Sequence, residues 1–446
     1  MNTFNGMSDP MGGGLSQETT GRYLVLFEEG ATKAGLKALT NTTGAKVASS
    51  ADTKSGVFSA EELEQDSVLF DDLGVAVISA EPDQLQALAG DEAEQAAILA
   101  VEEERIVHAL MVSESAASPP PATALSGDYL RGYRDAVLGL TASMEAGGSA
   151  LALPQAPVTW DETQATWGLQ ASAVTGSSRT GKGVGVAVLD TGMDLKHPDF
   201  ARRSIKSESF IAGQTAQDGH GHGTHCIGTA LGPLQPGTLP RYGIAHAARI
   251  FAGKVLSNQG SGGDAGILNG ILWAVKNKCR VVSMSLGAPT RPGQTFSAVF
   301  ETAAGRAMKA GTLIIAAAGN DSRRSQGMPP APVSHPANCP SIMAVAAIDD
   351  QLNVASFSNA GVNPSGGQID IAGPGVRVRS SWPKPTLYNT INGTSMATPH
   401  VAGVAALLAE ANPKATAAEL WALLIRTARR LPLPASDVGA GFVQAP

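Results

Sequence analysis

The run DGHGHGTHC, residues 218–226, places His220, His222, His225 and Cys226 within seven positions of a glycine-rich stretch. Imidazole and thiolate are the commonest zinc ligands, and glycine lets a backbone close around an ion. The alternative is one working histidine among hydrogen-bonded or solvated neighbours. Three other residues have chemistry of their own. Asp190 ends the apolar run VGVAVLD and is followed at once by Thr191 and Gly192. Ser395, in NGTSMATPHVAG, leads into a helix expected from about Met396, with Pro399 in the first turn, where a missing N–H costs little. A serine there is either an N-cap or a group placed where outward-facing amides favour a developing anion. Asn320 closes LIIAAAGN, and its amide can serve a turn or donate to an oxyanion. Each of these residues, taken singly, reads as structural.

What must position them is a set of alternating elements. From Trp160 onward VGVAVLD, RIFAGKVL, RVVSMSL, TLIIAAA and IMAVAAI are apolar runs of strand length, separated by helical patterns such as AGILNGILWAVKNK and FSAVFETAAGRAMKA. Apolar strands interleaved with helices predict a parallel sheet covered on both faces, with functional groups at the carboxyl ends of its strands. The glycines of GKGVG precede their strand, whereas a dinucleotide fingerprint needs them after it. Ahead of this, RYLVLF, KAGLKALTNT, DSVLFDDLGVAVISA, EPDQLQALAG and AAILAVEEERIV give the order β-α-β-β-α-β, a small ferredoxin-like α+β domain over 20–112. A polar tail covers 1–19. Residues 113–158 read as a linker, opening with the Pro/Ser/Ala-rich SESAASPPPATALSG and carrying a possible short helix at DYLRGYRDAVLGLTASM. The remaining domain is 159–446.

Composition excludes several classes. The 446 residues include three cysteines, too few for a disulfide scaffold, and the longest apolar runs, such as VAGVAALLA, stop well short of the ~18–20 residues of a membrane span. Nothing marks a nucleic-acid partner. The first 115 residues carry 20 acidic and 6 basic side chains and the rest 19 and 26, so the two parts are set to attract one another, unless the front charges merely solvate a small domain. No basic residue precedes Arg22 and the stretch MNTFNGMSDPMGGGLSQETT holds no apolar h-region, so a classical secretory signal is not expected; the protein is cytoplasmic, leaves by a non-classical route, or has lost its leader.

Two resemblances follow from these residues. The histidine spacing is similar to the zinc run of metallo-β-lactamases, but Thr224 stands where their aspartate would be. Far more of the chain resembles the subtilisin-like serine proteases (subtilases, peptidase family S8): VLDTGMDLKHPDF, HGTHCIGT, VVSMSLG, AAAGN and NGTSMATPHVAG occur in family order across residues ~160–446, and GAGFVQA matches the closing segment. The resemblance implies a three-layer, doubly wound, mostly parallel α/β fold. It also implies a serine endopeptidase with Asp190, His222 and Ser395 as the triad and Asn320 as oxyanion donor. Ser285, Leu286 and Gly287, with Gly260, Ser261 and Gly262, would pair with extended substrate, and the run ending in Ala318 and Gly319 would wall a roomy apolar pocket. His225 and His220 then become a structural and a cleft-side residue, and Cys226 lies beside the catalytic histidine. The run is no longer read as a metal cluster.

The front domain, ending in ILAVEEERIVHAL, resembles the inhibitor-like (I9-like) propeptide of subtilases. It implies a zymogen that cuts itself within 110–158 and is held inhibited by its own propeptide. Protein or peptide substrates are the expected partners, for a monomer that needs no cofactor for its chemistry. Asp199 corresponds to a family calcium ligand, so a structural calcium ion is conceivable there, although the loop LGPLQPGTLPRYGIAHAA lacks the Asn-rich run that completes such a site. A zinc hydrolase would leave Asp190, Asn320 and Ser395 unexplained, and an inactive binding module would not need the intact set.

Overall fold

Seven segments, six of them apolar, line up side by side as the frame of the molecule. In the computed structural model, which describes residues 17–44, 46–65, 67–81, 83–84, 97–112 and 158–446, they form one sheet. The front part supplies β1 (Thr19–Phe27), α1 (Thr32–Thr43), β2 (Ala48–Ser49), β3 (Ser67–Phe70), β4 (Val75–Ile78) and β5 (Ile98–Ala109). The main part continues with β6 (Gly185–Asp190), β7 (Ile205–Ser209), α2 (His222–Leu231), β8 (Arg249–Lys254), β9 (Ser261–Gly263) and α3 (Asp264–Lys276). Then come β10 (Val281–Met284), β11 (Leu286–Gly287), α4 (Ala298–Lys309), β12 (Leu313–Ala317), β13 (Met343–Ile348) and β14 (Ile371–Pro374). A hairpin of β15 (Val378–Ser381) and β16 (Tyr388–Ile391) precedes α5 (Thr394–Ala411) and α6 (Ala417–Thr427). The tail over 1–16, most of the expected helix EPDQLQALAG, and the linker with its helix lie outside the described residues.

The main sheet has the order β14-β13-β12-β10-β6-β8-β7, and every neighbouring pair is parallel. Side chains alternate across it, as period-two geometry requires. In β6, Ala187 and Leu189 join an apolar cluster with residues of α3 and α4, while Val186 and Val188 join another with residues of α2, α5 and α6. The apolar strands are therefore buried on both sides, which is why they read as continuous hydrophobic runs. The order reverses around β6 and β10, so the carboxyl ends of these strands open onto a crevice. Asp190 is the last residue of β6.

Residues up to Val112 and from Trp160 onward form one compact unit. The front strands run β5-β1-β4-β3-β2, with β1 antiparallel to both β5 and β4, β3 antiparallel to β4, and β2 parallel to β3. Carboxylates of β5 fasten this sheet to two helix starts. The fully buried Glu104 accepts from the Ala265 amide at 2.9 Å and is paired with Arg22 at 2.7 Å; Glu102 accepts from the Ala298 amide at 2.7 Å. Both satisfy orphan N–H groups at the positive ends of α3 and α4. Acidic residues of EEER thus meet helix dipoles, a more local attraction than the overall charge imbalance suggests. Among the described residues no helix is long and apolar enough to cross a membrane.

Candidate active site

Asp190, His222, Ser395 and Asn320 converge from four different elements. His222 is the first residue of α2, whose start is organised by Asp218. One Asp218 carboxylate oxygen accepts from the amides of His220 and Gly221 at 2.9 and 2.8 Å, and the other accepts from the Thr224 amide and hydroxyl at 2.9 and 2.7 Å. Gly221 sits at φ +111°, and a side chain there would strike the Trp382 ring at 2.4 Å. The turn therefore delivers His222 to the end of β6. Its Nδ1 lies 2.7 Å from Asp190 Oδ1, which also accepts from the Thr191 amide at 2.7 Å.

Both members of this pair are fully buried. Burial opposes a charged His222, but the Asp190 carboxylate and its hydrogen bond prevail and hold the imidazole pKa well above 6.5. The other ring nitrogen, Nε2, is buried without a hydrogen-bond partner. That is the atom a general base would use.

Ser395 sits in the first turn of α5. The helix begins at Thr394, earlier than Met396, so Pro399 lies inside it rather than in its first turn. The proline cannot donate to the Ser395 carbonyl four residues back. That carbonyl is taken instead by the Ser285 hydroxyl at 2.8 Å and approached by the Cys226 thiol at 3.6 Å. The Ser395 hydroxyl itself donates to the Ser285 carbonyl at 3.0 Å, and must turn from it toward Nε2 to react. Asn320 is held by its oxygen, which accepts from the Thr394 amide at 2.9 Å and hydroxyl at 2.8 Å. The amide orientation is thereby set, and Nδ2 is left buried with no partner. An oriented, unpaired donor beside a helix N-terminus is what a developing oxyanion requires.

The remaining expected residues fall in two groups. Gly260, Ser261 and Gly262 border β9, and Ser285, Leu286 and Gly287 border β11; both edges carry backbone pairing to β5. Ala318 is buried, its amide bonded to the Val345 carbonyl, and Gly319 donates to the Thr394 hydroxyl at 3.2 Å, so this run abuts the start of α5. The three histidines are not gathered into one ligand set. His225 is buried with Nε2 3.0 Å from the Val378 carbonyl, and burial lowers its pKa to about 3; His220 is half-buried beside Gly260. The group that does assemble among the described residues is Asp190, His222 and Cys226. All three cysteines are buried and free, and Cys226 Sγ is 3.8 Å from His222 Nδ1.

Asp199 does not offer a calcium site. One of its oxygens accepts from the Tyr242 hydroxyl at 2.5 Å, the other from the Gly237 amide at 2.8 Å, and the Tyr388 hydroxyl reaches both at 3.1 and 3.2 Å. The loop surrounds the carboxylate with hydrogen-bond donors, whereas calcium needs a shell of oxygen acceptors. Asp218, Thr394 and the two tyrosines are structural partners that sequence reading missed.

The match to known proteins agrees with this geometry. The sequence pattern of the Subtilase family matches residues 181–442. This chain belongs to the subtilase family. It is 42% identical over 262 residues to M-protease of Shouchella clausii (strain KSM-K16), covering 58% of the chain and 63% of that protein. It is 41% identical over 283 residues to Subtilisin Savinase of Lederbergia lenta, covering 63% of the chain and 96% of that protein. With Subtilisin E of Bacillus subtilis (strain 168) the identity is 40% over 265 residues, 59% of the chain and 65% of that protein. The match thus spans a little under two thirds of M-protease and of Subtilisin E and nearly all of Savinase. The buried Asp190–His222 pair lies within the matched region.

Proposed function

We propose that this subtilase is a serine endopeptidase, made as a zymogen that cuts itself. The observation that carries the reading is the convergence of an Asp190-bonded His222, whose Nε2 is unpartnered, with Ser395 at the start of α5 and the unpaired amide of Asn320. Ser395 attacks a peptide carbonyl while Nε2 takes its proton and later returns it to the leaving amine. Asp190 fixes the tautomer with the proton on Nδ1 and stabilises the imidazolium. Asn320 Nδ2 and the Ser395 amide meet the oxyanion. Water then releases the acyl group. Substrate is held as an added strand along Ser285–Gly287 and Gly260–Gly262, so main-chain bonds supply sequence-tolerant affinity.

In this reading residues 20–112 are a ferredoxin-like, inhibitor-like propeptide, 113–158 a linker and 159–446 the catalytic domain, acting as a monomer on protein or peptide substrates. The antiparallel front strands β5-β1-β4-β3 and their two carboxylate anchors on α3 and α4 support it. The test compares peptide hydrolysis by wild type and Ser395→Ala, with PMSF and with EDTA. Activity should vanish with the mutation and with PMSF and persist in EDTA; activity indifferent to Ser395→Ala would refute the proposal.

A further inference from the structure

Beyond its role in the front sheet, β5 runs between the two edges of the cleft. On one side Ile106, Val107 and His108 pair antiparallel with Gly263, Gly262 and Ser261. On the other, His108 and Ala109 pair antiparallel with Gly287 and Leu286. The ladder continues past the strand: the Ala109 amide donates to the Gly260 carbonyl at 2.9 Å and the Leu110 amide to the Ser285 carbonyl at 3.3 Å. Two residues later the Val112 amide donates to the Asn392 carbonyl at 2.9 Å. The chain is thus held on both sides of one short stretch, Leu110 and Met111.

That stretch crosses the start of α5. A carbon placed on Gly393 would meet the Leu110 carbonyl oxygen at 2.6 Å, the Asn320 Nδ2 at 3.2 Å and the Met111 Cα at 3.4 Å. Gly393 is therefore needed for the Leu110 carbonyl to approach, and that oxygen and the unpaired Asn320 donor share the space the missing side chain leaves. The Leu110 amide and the Ser395 hydroxyl also share one acceptor, the Ser285 carbonyl. Successive carbonyls of an extended chain face opposite ways, so neither Ala109 nor Met111 can present its oxygen to Asn320 in this register.

We infer that Leu110–Met111 is the bond the protease cuts in itself, and that Val107-His108-Ala109-Leu110 displays the sequence preference of its cleft. The inference rests on the endopeptidase reading above. The Ser395 oxygen adds to the Leu110 carbonyl carbon as its proton passes to His222; the bond to the Met111 nitrogen breaks as that nitrogen takes the proton. Water then cleaves the Leu110 ester, restoring the hydroxyl and leaving a Leu110 carboxylate. Val107 is fully buried in the same apolar cluster as Leu256 and Leu286, whereas the His108 side chain is exposed and lies 3.2 Å from Glu18. The preferred substrates are extended peptides with an apolar residue at the cut and another three positions before it, and tolerance two positions before it.

The experiment follows processing of the full chain by intact mass and N-terminal sequencing over time, for wild type, Ser395→Ala, Leu110→Met, Leu110→Asp and His108→Ala. The first new N-terminus should be Met111, with a partner fragment ending at Leu110. Leu110→Met and His108→Ala should process within about threefold of wild type and Leu110→Asp at least tenfold more slowly, since Leu110 is half-buried and a carboxylate there must give up part of its hydration. Near-ultraviolet circular dichroism of each variant in the Ser395→Ala background separates slow cutting from failed folding. A Ser395-dependent first cut at another bond overturns the inference and leaves the endopeptidase reading standing. Cutting that survives Ser395→Ala overturns both, and Leu110→Asp cut at Met111 at the wild-type rate overturns the preference.

Discussion

His400 lies on the helix that carries Ser395, one turn further on, and is the clearest place to test how dry that helix is. It is buried, its Nδ1 is 2.7 Å from the Met396 carbonyl, and burial lowers its pKa to about 4. An unfolded histidine titrates near 6.5, so as pH falls below that value the unfolded chain takes up a proton that the folded chain refuses. Stability from this group is therefore fully present above about pH 6.5 and is lost as pH falls toward 4. Between pH 7 and pH 5 the loss is about 2 kcal/mol. His400→Asn keeps an amide donor near the Met396 carbonyl and does not titrate. In a Ser395→Ala background, which prevents self-digestion, urea denaturation at pH 7 and pH 5 gives the unfolding free energy of each protein. The parent should lose about 2 kcal/mol more than His400→Asn between the two pH values, because other titrating groups, Asp370 and His222 among them, cancel in the difference. Equal pH dependence of the two proteins, within about 0.5 kcal/mol by the usual error of such comparisons, would refute the argument that burial keeps His400 neutral.

Other expectations concern the site and its surroundings. Asn320→Ala should lower kcat by roughly 10²–10³ with little change in KM, a figure known from subtilisin itself rather than worked from this geometry, and steady-state peptide hydrolysis checks it. EDTA should leave the thermal midpoint of the Ser395→Ala protein unchanged, while Tyr242→Phe, which removes a hydroxyl bonded to the Asp199 carboxylate, should cost about 1.5–3 kcal/mol by denaturant unfolding. A chelator-induced drop in midpoint that Asp199→Asn abolishes would show that the donors around Asp199 give way to calcium. Mercurials should inactivate the processed enzyme through Cys226, 3.8 Å from His222 Nδ1, and Cys226→Ala should be resistant in the same assay.

Much of this was legible residue by residue. The runs VGVAVLD, TLIIAAA and IMAVAAI became β6, β12 and β13 within a residue at either end, because strands buried on both faces leave long apolar signatures. The short, polar β7 and β16 left none, since their pairing comes from neighbours rather than their own composition. The start of α5 was misplaced because a proline is ordinarily a sign of the first turn; here its cost is offset by the Ser285 hydroxyl, from a residue 110 positions away in sequence.

Sequence alone determined which atoms are available for chemistry: an imidazole, a carboxylate, a hydroxyl and an amide, each at the end of an element whose periodicity could be read. It also determined which segments are apolar enough to build a sheet. Tertiary structure decided what those atoms face. Only the fold orients Asn320 through Thr394, turns the Asp199 carboxylate toward tyrosines instead of an ion, and threads Leu110 past Gly393. These are contacts between residues tens to hundreds of positions apart, and no local pattern encodes them, because hydrogen bonds and excluded volume act on distance in space rather than along the chain.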